Sequence, residues 1–231
     1  MTTATTTPLR ITLPSGGSVS ALLSSPPQPS AVFVFAHGAG AGMDHSFMTA
    51  LSAALGERGI ATLRFQFPYM EQGSKRPDDP ATAQAAVRAA VAQANAQLPG
   101  VPLFAGGKSF GGRMTSQAQA AQPLEGVRGL VFVGFPLHPP GNPSAARAAH
   151  FAKVNVPMLF LQGTRDELAD LDLIRETTAG LGGRATLHIV EGGDHSFHVL
   201  VRSGRNDAQV LVELADTAAG WMKSALASGA H

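Results

Sequence analysis

The chain is 231 residues long, 44% hydrophobic and only 14% charged, which argues against disorder and for one large packed core of the α/β kind. A formal net charge of +1, with no block of lysine and arginine, gives no ground for a nucleic-acid or membrane-surface partner. Cysteine is absent, so disulfides, thiolate zinc sites and cysteine nucleophiles are excluded.

The opening "MTTATTTPLR" has neither the positive region nor the apolar region of a signal peptide, and residues 1–8 are expected to fray. No apolar run is long enough to span a bilayer, so a cytoplasmic location is expected. Residues 9–13 and 19–23 alternate apolar and polar side chains around the turn "PSGG", the pattern of an antiparallel hairpin at a sheet edge. Beyond it, "AVFVFAH" from Ala31, "LFAGG" from Leu103, "GLVFVGF" from Gly129 and "PMLFLQG" from Pro157 are apolar on both faces, as buried parallel strands are. "ATLRFQF" from Ala61 and "ATLHIVEG" from Ala185 read as two further strands.

Helical stripes separate these strands. Phe47, Met48, Leu51 and Leu55 form one; Val87, Val91, Ala94 and Leu98 form another. A helix follows Ser109, Leu168, Leu171 and Ile174 mark a fourth, and Leu211, Leu214, Ala218 and Trp221 mark the last. The alternation predicts a single domain over residues 1–231, a three-layer α/β/α sandwich with a mostly parallel sheet and an N-terminal antiparallel hairpin. Only a short Pro-rich loop and a small "SAARAAHF" helix fit after Phe135, so no lid domain is expected.

In such a sheet the loops at the strands' carboxyl ends share one edge, and ligands bind there. That edge includes "GGKSFGG", and its serine has three readings. A phosphate loop fails on spacing, because Gly-x-x-x-x-Gly-Lys-Ser/Thr is not present. A plain turn residue is the bland reading of the serine taken alone. The third is a nucleophile elbow, Gly107-Lys108-Ser109-Phe110-Gly111, with a strand directly before it and a helix directly after. At so sharp a bend only small residues fit two positions either side of the nucleophile, which accounts for Gly107 and Gly111.

A serine hydroxyl needs a base and the base an orienting acid, following in the order acid then base after late strands. Asp166 in "QGTRDE" and His195 in "GGDHSF" occupy those places. Asp194 is too close in sequence to orient the same ring, and His198 falls at a helix start where packing is the expected role. The oxyanion donors expected are the N–H groups of Phe110 and of Ala39, in the loop "HGAGAG". His37, ending a strand, is expected to hold loop backbone, and Arg64 to form a structural ion pair. Tyr69, Met70 and His138 are expected on the pocket rim, with Arg113 as a contact for an acidic substrate. No His-Glu-x-x-His or similar spacing is present; no metal and no cofactor is expected.

The phrases "HGAGAGMDH", "RFQFPYME", "GGKSFGGRM", "GFPLHPPG", "QGTRDE" and "GGDHSF" give the chain a resemblance to the α/β-hydrolase superfamily over nearly its full length. More narrowly it resembles the dienelactone-hydrolase-like branch, and within it the small subgroup of testis-expressed and NSL-complex subunit 3 hydrolase-like proteins. The resemblance implies the same triad, Ser109, Asp166 and His195. Dienelactone hydrolases proper use a cysteine nucleophile, so their substrate does not carry over. The expected function is a serine hydrolase, a carboxylesterase on small or soluble esters. Thioester and peptide cleavage share the chemistry, and the rival reading is a catalytically idle scaffold that binds protein. Acyl group and oligomeric state are left open.

Overall fold

A computed structural model describes residues 4–228. Eight strands form one sheet in the order β1-β2-β4-β3-β5-β6-β7-β8. They are β1 (Thr5–Thr12), β2 (Ser18–Ser25), β3 (Ala31–Ala36), β4 (Ile60–Phe65), β5 (Leu103–Lys108), β6 (Val127–Val133), β7 (Met158–Gly163) and β8 (Ala185–Val190). β1 pairs antiparallel with β2, and β2 antiparallel with β4; every other pairing is parallel. The fold is the expected α/β/α sandwich with an N-terminal antiparallel hairpin.

The hairpin begins earlier than its alternation suggests. Residues 1–3 of the segment expected to fray lie outside the described residues, but Thr5 to Pro8 belong to β1 and pair with Ser25 to Leu22. Threonine suits a strand, Thr6 and Ser24 share a hydroxyl hydrogen bond of 2.9 Å, and Pro8 is tolerated because β1 is an edge.

Helices α1 (Ser46–Glu57) and α6 (Asp207–Ser228) cover one face of the sheet. The other face carries α2 (Pro68–Glu71), α3 (Pro80–Gln97), α4 (Phe110–Ala121) and α5 (Leu171–Gly180). The pleat of β3 shows why both faces must be apolar: Val32 and Val34 point into one layer, Phe33 and Phe35 into the other. Side-chain caps mark helix starts on both faces, His45 accepting from the Phe47 N–H at the start of α1. Asp79 accepts from the N–H groups of Ala81 and Thr82 with Pro80 next in chain, and Asp170 accepts from Asp172 and Leu173. Between β6 and β7 the chain makes only a 3-10 segment, Ala146–Lys153, and no lid is inserted. Among the described residues no helix is long and apolar enough to cross a membrane.

Candidate active site

Parallel register aligns the strand ends that build the site. Ala36 of β3 stands beside Gly107 of β5, and Lys108 beside Val133 of β6. The chain then reverses so abruptly that Ser109 takes φ 49° and ψ −113°, a strained conformation for a residue with a side chain. Two contacts enforce the bend. A Cβ on Gly107 would fall 2.4 Å from the Ala36 carbonyl oxygen and 2.8 Å from the Gly111 carbonyl carbon. One on Gly111 would fall 2.4 Å from that same oxygen and 2.7 Å from the His37 oxygen. The two glycines therefore serve the approach of β3 as well as the bend itself.

Ser109 occupies the N-cap position of α4, where serine commonly satisfies the helix's free N–H groups. It makes no such bond. Its Oγ lies 2.8 Å from His195 Nε2 instead. His195 Nδ1 lies 2.8 and 2.9 Å from the two carboxylate oxygens of Asp166. A carboxylate can only accept, so Nδ1 carries the proton and Nε2 is left to accept from the serine hydroxyl. The Asp166 side chain is 1% exposed and that of His195 25%: the carboxylate is sealed and the imidazole remains reachable.

Each partner is held by its own loop. Oδ1 of Asp166 also accepts from the Leu168 N–H at 2.8 Å, and Oδ2 from Gln162 Nε2 at 2.5 Å. The Gln162 amide is fixed in turn, since its Oε1 accepts from the Phe135 N–H at 3.0 Å. The Arg165 N–H donates to the Gly193 carbonyl at 2.9 Å, tying the acid's loop to the base's. Asp194 does not contact the imidazole; its Oδ1 accepts from the N–H groups of Ser196 and His198 and shapes the turn that presents His195. His198 pairs with Asp207 at 2.8 Å on the exposed start of α6, and this bond raises its pKa.

Lys108, next to the serine, was not singled out by the sequence reading. Its ammonium donates to the His195 backbone carbonyl at 2.5 Å and lies 5.6 Å from the Phe197 ring centre. Burial pushes its pKa down to about 8, against the opposing pull of Asp166 and Asp194. Gln162 was also missed. At the end of an apolar strand each polar residue was the available signal, because a polar side chain there must find a partner.

The glycine loop after β3 packs against the bend: a Cβ on Gly38 would sit 3.8 Å from Ser109 Cβ. Among the described residues the N–H groups of Ala39 and Phe110 have no hydrogen-bond acceptor. The loop is braced from behind. His37 Nε2 accepts from the Phe67 N–H at 3.2 Å and its Nδ1 donates to the Gly38 carbonyl at 2.7 Å. Burial pushes the His37 pKa down to about 4, only partly offset by that second bond, so the ring is neutral. This is the backbone-holding role expected of it.

A family model described as an alpha/beta hydrolase domain matches residues 29–223. The chain belongs to the alpha/beta hydrolase family. Solved structures share its fold at low identity. A lidless a/b serine hydrolase from Xanthomonas campestris is 23% identical with a TM-score of 0.73, covering 96% of each chain. A dienelactone hydrolase from Anabaena variabilis is 19% identical with a TM-score of 0.77, over 96% of this chain and 98% of that one. An esterase domain from Rhodothermus marinus is 17% identical with a TM-score of 0.70, over 94% and 97% respectively.

Two side chains of this alpha/beta hydrolase that were expected on the rim are instead buried props. The Tyr69 hydroxyl accepts from the Gly40 N–H at 2.8 Å, and the residue is 3% exposed. His138, also 3% exposed, accepts from the Asp170 N–H at 2.7 Å through Nε2 and donates from Nδ1 to the Pro139 carbonyl at 2.8 Å. With both nitrogens used on backbone, His138 offers no group to a substrate. Met70 is half-buried, its Cε 3.3 Å from where Gly42 would carry a Cβ, so it packs under the glycine loop. Arg64 has no ion pair among the described residues; its Nη1 donates to the Met43 carbonyl at 2.8 Å and to the Thr49 hydroxyl at 2.9 Å. Arg113 is half-buried beside Phe110. Among the described residues no cluster of three or more His, Asp or Glu side chains is placed to hold a metal ion.

Proposed function

We propose that this alpha/beta hydrolase is a serine carboxylesterase on small or soluble esters, with residues 1–231 acting as one catalytic domain. The observation that carries the reading is the unbroken chain from Ser109 Oγ through His195 to a sealed Asp166 carboxylate, at 2.8 Å on each side of the imidazole. The reaction follows from that order. Ser109 Oγ bonds to the ester carbonyl carbon while its proton passes to His195 Nε2. The carbonyl electron pair moves onto its oxygen, where the free N–H groups of Ala39 and Phe110 and the start of α4 meet it. As the carbonyl re-forms, the C–O bond to the alcohol breaks and His195 returns the proton to the leaving alkoxide. The oxygen of a water then bonds to the acyl carbon as its proton passes to the same nitrogen, and the bond to Ser109 Oγ breaks as His195 returns that proton to the serine, releasing the acid.

Esters are favoured over bulkier substrates because the triad's edge carries no lid to enclose a long acyl chain. The motif phrases resemble those of the dienelactone-hydrolase-like branch and its small testis-expressed and NSL-complex-like subgroup, which supports the reading. Fluorophosphonate labelling tests the reading: wild type should label and turn over 4-nitrophenyl esters, and Ser109→Ala should lose both by at least about a thousandfold. A folded wild type that neither labels nor hydrolyses any ester would overturn it and leave a protein-binding scaffold.

A further inference from the structure

Arg64 is 4% exposed, yet only part of its guanidinium is in use. Along β4 it alternates with Leu63 and Phe65, which pack into the opposite layer, so it points toward α1. Nη1 carries two hydrogens, and the Met43 carbonyl and the Thr49 hydroxyl take both, at 2.8 and 2.9 Å. Nε is buried without an acceptor, and among the described residues Nη2 has none either. Those two nitrogens form one edge of the guanidinium, on which a carboxylate can accept two parallel bonds. Among the described residues no carboxylate pairs with it. Burial disfavours the charged form of Arg64, and the charge of the exposed Asp44 only partly offsets this.

Arg64 lines a cavity of about 1030 Å³ between α1 and the β1–β2 hairpin. None of Ser109, Asp166 and His195 borders it, so it is separate from the candidate active site. Its walls are of two kinds. Ser24 shares a hydroxyl hydrogen bond with Thr6, and Ser52 shares one with Thr62. Each such pair has two hydroxyl protons and uses one between its members, which leaves a donor for an anion. Pro26 and Ala53 supply apolar surface beside these hydroxyls. Glu57 is the one acid in the wall; its side chain is 78% exposed beside Arg58, so water screens its charge.

A buried guanidinium edge without acceptors costs free energy that a fitting anion recovers. The edge suits a planar carboxylate, and the apolar wall suits a short hydrocarbon body. We infer that this cavity is a binding site for a small organic carboxylate, held on the Nε–Nη2 edge of Arg64. The site lies behind the glycine loop, because the same guanidinium holds the Met43 carbonyl of that loop. It stands independently of the role of Ser109.

The test is a titration of the nitrogen-15-labelled protein with sodium butyrate at constant ionic strength, followed by NMR. The Nε–H resonance of Arg64, identified by its loss in Arg64→Lys, should shift and saturate with a Kd of about 1 mM or tighter. The same concentrations of 1-butanol, which has the chain but no carboxylate, should leave it in place. Ala53 is exposed on α1, so Ala53→Trp fills the cavity without touching a bond of Arg64, and it should weaken butyrate binding about tenfold or more. If Arg64→Lys does not fold, backbone-linked assignment identifies the resonance and Ala53→Trp carries the comparison. No saturable shift below about 20 mM butyrate overturns the site. So does an equal shift with butanol, or equal butyrate affinity in a folded Ala53→Trp.

Discussion

Two loops meet at Ser109, and they are held there by opposite means. The bend from Gly107 to Gly111 has no side-chain cap and is fixed by backbone packed on backbone, with the Ala36 carbonyl wedged against both glycines. The loop after β3 is open to solvent at Gly40 and is braced by side chains from behind: His37 on Phe67, Tyr69 on Gly40, and Gln66 on the Met43 N–H at 3.1 Å. The first loop tolerates no added atom, whereas the second depends on a few hydrogen bonds that can be removed one at a time. The position of Ser109, the proposed nucleophile, should therefore fail abruptly under mutation, and the proposed oxyanion donors Ala39 and Phe110 by degrees.

The same substitution in each loop breaks this comparison most sharply. Gly111→Ala puts a methyl 2.4 Å from one backbone oxygen and 2.7 Å from another, neither on a flexible side chain. Moving Ser109 by the ångström needed to relieve that contact should cost roughly a hundredfold or more in kcat/KM. Gly40→Ala meets nothing within 4 Å and has only a φ of +73° to contend with. Its cost should be about 1 kcal/mol of stability and much less activity. Ester kinetics and Tm on the two purified variants decide the point; equal losses would remove the distinction.

Lys108 tests a different part of the first loop, its reach to the base. Lys108→Met keeps an unbranched stem, one atom shorter and without the ammonium, and so releases the His195 carbonyl; kcat should fall about tenfold to a hundredfold. The protonated form holds that carbonyl by a charge-assisted bond, so wild-type activity should decline as pH rises through about 8, and the variant should lack that limb. The stability sign is opposite. A lysine whose folded pKa lies below its unfolded one destabilises the fold below about pH 8, and the penalty disappears as pH rises to 10.5. At neutral pH the methionine variant should thus be slower while its Tm stays level or rises. A fall in Tm with no change in the pH profile would make Lys108 merely structural.

The sheet was legible because buried parallel strands are apolar on both faces: "AVFVFA" and "MLFLQG" admit few other placements. The order Ser109, Asp166, His195 could be read because the fold leaves few loops where an acid and a base can follow the serine. What stayed hidden was direction. Tyr69 and His138 lie in loops at the ligand edge, and sequence does not show that both turn inward to hold backbone. Lys108 alternates with its neighbours along β5, yet only the β8 loop decides what its ammonium meets. Even Thr5 to Pro8 looked like a loose end until β2 supplied its partner strand.

The smallest expected effect belongs to the braced loop. Tyr69→Phe removes one oxygen and leaves the ring, whose neighbours Phe67 and Phe110 keep it in place. The Gly40 N–H then loses its acceptor. Because Gly40 sits at the open side of the loop, water can replace the lost oxygen, and the penalty should be at most about 1 kcal/mol. The loop's hold on Ala39 weakens while Phe110, fixed at the start of α4, keeps its aim. Losing a whole oxyanion donor costs about a hundredfold to a thousandfold; loosening one of two should lower kcat by only about threefold to tenfold. KM should hardly move, because the developing oxyanion, not the ground-state ester, needs that donor. A loss confined to KM would show that Tyr69 shapes substrate binding rather than the donor's aim. A loss as large as that of Gly111→Ala would show that the braced loop is as unforgiving as the bend.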